Sequence, residues 1–287
     1  SRGVLTGGLL LPMPRALAFL VLLGVLWPLP AAAQQRPLVT EDPLTIGEGR
    51  LLIELGVETG ANITYPVSGL TGDRLSIPFG VSFGLGEVAE LQIDGGYNWL
   101  DIERRRDAPL SGRVGPGDRT GDVHDVVVAT KVTLLREGER RPAFGLRLAT
   151  QLPNASNESG LGLDSMTFIG TLLAGKTTGS TRIVANAGIA IMSDVIEGSI
   201  QQDAFVGSLS VARALNTVVE VVGEIAMQRV FFADEPPVGA EPRGALRGGI
   251  RFTRGGWRAD AGLVLGLTRQ DPDYGFMAGL TWVGQVR

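Results

Sequence analysis

Between Gly244 and Thr268 the side chains alternate with a period of two, in two runs broken by a tight turn. In the first run Leu246, Gly248, Ile250 and Phe252 share one parity, and Arg247, Gly249 and Arg251 share the other. After Thr253-Arg254-Gly255-Gly256 the pattern restarts. Trp257, Ala259, Ala261, Leu263, Leu265 and Leu267 fall together, opposite Arg258, Asp260, Gly262, Val264, Gly266 and Thr268. Successive side chains of a strand point to opposite faces, so the stretch reads as a β-hairpin. One face is apolar throughout; the other holds Arg, Asp, Gly and Thr, with Val264 the exception. Two architectures accept such a hairpin. One is a sheet closed on itself with lipid outside and a polar lumen, the other a soluble sandwich with a wet outer face.

The alternation recurs along the chain. It predicts strands at about 50–58, 74–83, 88–102, 122–135, 142–152, 163–176, 182–192, 201–213 and 217–231, then the hairpin and a last strand at 273–283. The run at 163–176 fits least well, because Ile169 and Leu173 interrupt its polar face. About twelve strands result, and an even number suits a bacterial single-chain barrel. Connection lengths separate the two architectures. The odd connections (59–73, 103–121, 153–162, 233–242) are long, and the even ones (84–87, 136–141, 214–216, 253–256) are short. The last odd one, at 269–272, is the exception. Long loops on one side and short turns on the other are the outer-membrane pattern, which a sandwich has no reason to follow. Aromatics supply a further test. Tyr97, Trp99, Phe231, Phe232 and Tyr274 fall at outer strand ends, and Phe83, Phe144, Phe252, Trp257 and Trp282 at periplasmic ends, as interfacial girdles would. The expected fold is all-β: a single closed antiparallel transmembrane barrel of up-and-down topology over residues 50–287.

Upstream, Arg15 precedes an apolar run at 16–26, then Trp27-Pro28-Leu29-Pro30 and Ala31-Ala32-Ala33. This is the plan of a secretory signal peptide cleaved after Ala33, with the residues before Met13 an upstream extension. Residues 34–49 carry Pro37 and Pro43 and no alternation, and are expected as a periplasmic lead-in.

Composition narrows the chemistry. The chain has no Cys, one His and a net charge of −4. Thiol catalysis, disulfides and Cys- or multi-His metal sites are therefore excluded, and a nucleic-acid partner is disfavoured. The glycine-rich stretch at 112–118 lacks the Lys-Ser/Thr of a phosphate-binding loop. Neither cofactor nor metal is expected. The inward-facing set comprises Glu54, Glu58, Glu90, Asp94, Asp125, Lys131, Arg147, Arg182, Glu220, Glu224, Arg247, Arg251, Arg258 and Asp260. An Arg or Lys facing lipid at the midplane would cost roughly 2–4 kcal/mol. Glu220 and Glu224 should neighbour Arg247 and Arg251, with Arg258 and Asp260 next, forming a compensated ionic ladder. Such a ladder either fills a narrow bore or forms a constriction that orients a polar or aromatic solute. His124 has lipid-facing parity near an outer strand end, beside Asp125. The outer-membrane phospholipase's His-x-Ser-Asn-Gly signature is absent, the residues here being His124-Asp125-Val126-Val127, so no enzyme is expected. Arg104-Arg105-Arg106 is placed to meet lipopolysaccharide phosphates, although a solvated loop is the simpler expectation.

Several short stretches resemble a family of bacterial outer-membrane proteins, the MetA-pathway phenol-degradation or transporter-like family. They are Pro37-Leu38-Val39-Thr40-Glu41-Asp42-Pro43, Gly47-Glu48-Gly49-Arg50, Gly121-Asp122-Val123, Gly223-Glu224, Ala245-Leu246-Arg247-Gly248-Gly249 and the run from Tyr274 to Trp282. The resemblance spans the chain after the signal, and none of its motifs is catalytic. It implies a barrel associated with passage of small, often aromatic compounds. One departure is the ending Gln285-Val286-Arg287, where barrel-assembly machinery usually meets a terminal aromatic. The expected function is a passive outer-membrane channel for small molecules. The alternative is a non-transporting barrel with a plugged lumen whose loops bind a partner. Expected partners are outer-membrane lipid and lipopolysaccharide, the assembly machinery during insertion, and a small-molecule solute.

Overall fold

The computed structural model of the chain describes residues 36–193, 195–196, 201–231 and 236–286. The signal segment at 1–33 and Phe232 lie outside the described residues. The strands are β1 (Arg50–Tyr65), β2 (Leu70–Gly84), β3 (Ala89–Arg105), β4 (Arg119–Val123), β5 (Val127–Leu135), β6 (Ala143–Gln151), β7 (Thr167–Thr178), β8 (Thr181–Ser193), β9 (Gln201–Ala214), β10 (Val219–Val230), β11 (Arg243–Arg254), β12 (Trp257–Gly266) and β13 (Gly275–Gln285). Each pairs antiparallel with its neighbours, and β1 also pairs with β13 from Arg50↔Gln285 to Glu58↔Met277. First and last strands therefore meet. Because β4 and β5 both pair with β3, the strands fill twelve positions of a closed barrel.

The alternation sets inside and outside. Leu263, Leu265 and Leu267 are 53, 51 and 50 % exposed, whereas Arg251 and Arg258 are 6 and 8 % exposed. A sandwich would bury those leucines and wet those arginines, so the closed barrel is the architecture that fits both. The outward surface continues through Ile53, Leu55, Phe79, Phe144, Leu148, Leu172, Ile189 and Phe276. Phe252 and Trp257 are also outward and exposed, and Trp257 lies 6.4 Å from Trp282 across the β12–β13 pair. Farther toward the loops, but at the middle of β3 rather than at the expected strand end, Tyr97 lies 4.5 Å from Trp99 in a tilted pair, and Tyr274 meets Phe276 edge-on. An outward leucine replaced by a charge tests this directly. Leu265→Arg should lower unfolding free energy in lipid vesicles by roughly 2–4 kcal/mol, and Leu265→Ile should change it little. Equal urea midpoints for the two variants would overturn the lipid-facing assignment.

Two expectations need correction. β1 and β2 run on as a paired hairpin to Tyr65↔Leu70, past a bulge between Gly60 and Ile63, so their connection is only residues 66–69. Beyond the apolar zone both faces meet polar surroundings. The period-two signal fades there while the backbone ladder continues. The expected single strand at 122–135 is instead split into β4 and β5, with residues 124–126 interrupting the ladder. The β1–β2 tip is fastened by other loops. Ser68 Oγ donates to the Gly160 carbonyl at 2.7 Å, and the Leu110 N–H donates to the Val67 carbonyl at 2.9 Å. Below these loops Ala190, Ala204, Val230 and Ala240 form a small apolar cluster, with Ile169, Met192 and Val206 against it. That cluster accounts for the interruption at Ile169, which faces an apolar part of the bore.

Candidate functional site

The inner wall carries the ladder on β10, β11 and β12. Glu220 stands opposite Arg251, and Glu224 opposite Arg247. Each pair closes to 3.1 Å. Arg251 is in turn the register partner of Asp260 on β12, and Arg258 Nε donates to Thr253 Oγ1 at 3.0 Å. On the opposite wall Lys131 of β5 reaches Glu90 of β3 at 2.9 Å, and Arg147 of β6 lies 3.5 Å from Asp94. Asp125, at the break between β4 and β5, accepts from Gln151 Nε2 and the Ala155 N–H, both at 2.8 Å.

The residues expected as a lead-in below the barrel are not outside it. Residues 36–46 lie against the inner wall and travel round it. The Ile46 N–H donates to Glu90 Oε2 at 2.7 Å, and Thr133 Oγ1 donates to the Pro43 carbonyl at 2.8 Å. Arg182 of β8 forms a two-pronged pair with Asp42. Asn186 accepts from the Glu41 N–H at 2.7 Å and donates to the Glu41 carbonyl at 2.9 Å. Glu224 of β10 accepts from the Val39 and Thr40 N–H groups and from Thr40 Oγ1, at 2.9, 2.6 and 2.5 Å. Arg251 Nε donates to the Arg36 carbonyl at 2.8 Å, and Arg36 ends near Glu58 at 3.4 Å and Asp260 at 3.9 Å. Followed from Ile46 back to Arg36, the segment touches β3, β5, β8, β10, β11, β12 and β1 in turn. It forms a belt inside the barrel. Belt backbone groups lie beyond the reach of the sheet ladder, and the wall's charged and amide side chains satisfy them.

Sequence reasoning missed the belt, yet a signal for it was present. Gly56 and Gly279 have inward parity, and a Cβ on either would overlap the Arg36 guanidinium. At Gly145 and Gly175 a Cβ would come within 3.0 Å of Pro43, and at Gly249 within 3.2 Å of Pro37. A glycine inside a strand marks close approach of other chain. Here five inward glycines on different strands trace the path of one segment. Glu41 is the belt's electrostatic centre, 3.2 Å from Lys131 and 3.0 Å from Arg147. Burial opposes its charge, but those two cations outweigh burial and hold its carboxyl below the ordinary carboxylate range.

His124 also departs from expectation. It points inward, not to lipid: Nε2 lies 3.0 Å from Ser76 Oγ and 2.9 Å from Asn98 Oδ1, and the ring fills space beside Gly96. A Ser–His–Asn relay needs the serine on one ring nitrogen and the orienting group on the other. Here both sit on Nε2. With Asn98 accepting, Nε2 carries the proton and Ser76 is an acceptor, which leaves the hydroxyl unactivated. His124 instead ties β2 and β3 together at the β4–β5 break.

Two cavities flank the belt. One, about 360 Å³, is lined by Val39, Glu41, Arg147, Ile169, Val206 and Arg247 among others. The other, about 240 Å³, is bordered by Arg36, Pro37, Glu54, Glu58, Asp94 and His124. The bore is charged where the belt crosses it and partly apolar toward the loops.

No family model and no curated protein sequence matches the chain. Among solved structures, the COG4313 outer membrane channel from Pseudomonas putida F1 superposes with a TM-score of 0.60 at 11 % identity, over 85 % of this chain and 98 % of that one. That likeness shows the fold. The translocator domain of the autotransporter NalP from Neisseria meningitidis reaches 0.41 at 12 % identity, over 82 % of this chain and 88 % of that one. A TodX monoaromatic hydrocarbon channel variant also reaches 0.41 at 10 % identity, over 85 and 93 %. These two resemble the chain only as barrels.

Proposed function

We propose that the chain is a passive outer-membrane channel for small molecules, selective for size because the belt narrows its bore. The observation that carries this reading is the combination of an apolar exterior, a charged interior and cavities that border the belt. The barrel likeness to a structure named as an outer membrane channel supports it. The resemblance to the MetA-pathway phenol-degradation family supports small aromatic or hydrophobic solutes as cargo. Outer-leaflet lipid and lipopolysaccharide would surround the wall, with Arg104, Arg105 and Arg106 near the phosphates, and the assembly machinery would act only at insertion. Nothing in this reading calls for a cofactor.

The belt and the fastened loops favour a second reading, a barrel that is plugged and does not transport. Proteoliposome swelling separates the two. A channel should admit phenol and benzyl alcohol faster than glucose, and exclude sucrose. Swelling no faster than in protein-free vesicles for every solute, together with no conductance steps in planar bilayers, would leave the plugged reading standing.

A further inference from the structure

We infer that the cavity bordered by Glu54 and Asp94 is a binding site for small organic cations, a primary ammonium on a compact hydrocarbon body. This deepens the channel reading by naming a solute class, and rests on it for its purpose but not for its chemistry. Glu54, Gly80 and Asp94 are register partners on β1, β2 and β3, so they form one row across the inner wall. A Cβ on Gly80 would lie 2.8 Å from Asp94 Oδ1 and 3.7 Å from Glu54 Oε2, and its nearest neighbours all belong to these two acids. At the five glycines that trace the belt the near atoms include Arg36, Pro37 or Pro43 instead. Two carboxylate oxygens thus converge over a glycine that the belt does not cover.

Among the described residues neither of those oxygens accepts a hydrogen bond. Glu54 is 8 % exposed, and its one bond brings Thr281 Oγ1 to the other oxygen, Oε1, at 3.1 Å. Asp94 meets Arg147 at 3.5 Å through Oδ2, and Arg147 lies closer to Glu41, at 3.0 Å. The charges around the cavity do not cancel. Its lining holds Glu54, Glu58, Asp94 and Asp125 against Arg36 and His124. Arg36 is shared between Glu58 and Asp260, at 3.4 and 3.9 Å, and Asp125 has only the neutral donors Gln151 and the Ala155 N–H. Just outside the lining stand Arg74, Arg147 and Arg258, together with Glu41 and Asp260. Acids still outnumber arginines there, and His124 does not close the gap, charged or neutral. The next neighbours pair off, Lys131 with Glu90 and Arg251 with Glu220. A hard metal ion asks for six or more oxygens, and two are free here. The three N–H donors of an ammonium can reach an oxygen on either side of Gly80. Pro37, Pro78 and Val127 in the lining offer its hydrocarbon body apolar contact. At about 240 Å³ the cavity is below the usual range of small-molecule sites, so that body must be compact.

Calorimetry on the full chain in nanodiscs of zwitterionic lipid, with benzylammonium, benzyl alcohol and benzoate as probes of one shape and three charges, tests this. Benzylammonium should bind about tenfold more tightly than benzyl alcohol, as one charge-assisted contact allows, and benzoate should bind least. Glu54→Gln with Asp94→Asn should erase the preference, and either alone should reduce it. Gly80→Ala changes no charge but pushes Asp94 Oδ1 aside, and should weaken benzylammonium alone. Asp101→Asn, which removes an exposed acid paired with Arg119, should leave the preference intact. Heat-modifiable mobility verifies that each variant is folded, and Gly80→Ala decides if the double variant is not. Equal binding of benzylammonium and benzyl alcohol, no binding of either, or a preference that survives both the double variant and Gly80→Ala, would overturn the inference. Proteoliposome swelling reports separately. Flux without ammonium preference would sink this site and spare the channel, and ammonium preference without flux would do the reverse.

Discussion

Deleting residues 36–46 should raise single-channel conductance several-fold and shift selectivity toward anions. The belt occupies the charged waist of the barrel, and its contacts run from Glu90 on β3 round to Glu58 on β1. Its removal replaces a chain segment with water, and conductance rises with the free cross-section. The change in selectivity follows from charge. The deletion removes two acids, Glu41 and Asp42, and one base, Arg36, so the net charge of the bore becomes more positive by one. Lys131, Arg147 and Arg182 then keep only Glu90, Asp94 and Glu137 as acidic partners. A milder variant, Glu224→Ala with Asn186→Ala, leaves the belt present but removes its grips near Val39, Thr40 and Glu41. It should give intermittent openings of similar size. If deletion leaves conductance at the wild-type level, the bore is sealed at the loops and the belt is not the gate.

Lys131→Met should be the most damaging single substitution in the wall. The Lys131 side chain is fully buried, with Glu41 and Glu90 on either side at 3.2 and 2.9 Å, themselves 7 and 1 % exposed. Removing the cation leaves two carboxylates buried together, and breaking a buried pair this way costs about 3–5 kcal/mol. The effect would appear as a lowered urea midpoint for the folded barrel in vesicles. Adding Glu90→Gln and Glu41→Gln to the same chain should recover most of the loss, since no uncompensated charge then remains. A triple variant as unstable as Lys131→Met would show that the methionine fits badly, and would remove the electrostatic explanation.

The barrel itself was legible because lipid imposes the simplest rule a strand can follow. Leu263, Leu265 and Leu267 must all be apolar, so their parity names the outside without ambiguity. Rung partners such as Glu224 and Arg247 were legible for the same reason, since neither can face lipid. Where lipid ends the rule ends too. Thr64 and Thr71 pair in a ladder that no alternation announces, and the hairpin was read as a loop. His124 was misplaced because parity was counted through an unbroken strand, whereas residues 124–126 interrupt the pairing. The belt was illegible for a deeper reason. It has no period of its own, because its backbone is bound by side chains distant in sequence, such as Glu224 to Thr40. Only the inward glycines opposite Arg36, Pro37 and Pro43 recorded it, and an isolated glycine has several meanings.

The wall mostly grips the belt by amide hydrogens and carbonyl oxygens: those of Val39, Thr40, Glu41, Pro43 and Ile46. Arg36, Thr40, Glu41 and Asp42 apart, it measures spacing and is indifferent to spelling. Val39 can be exchanged for another apolar residue at little cost. A single residue inserted between Glu41 and Ile46 would displace one set of clasps by about 3.3–3.6 Å, more than a hydrogen bond can stretch. Tolerance of substitution and intolerance of insertion, in a stretch with no regular secondary structure, is the mark such a ruler leaves.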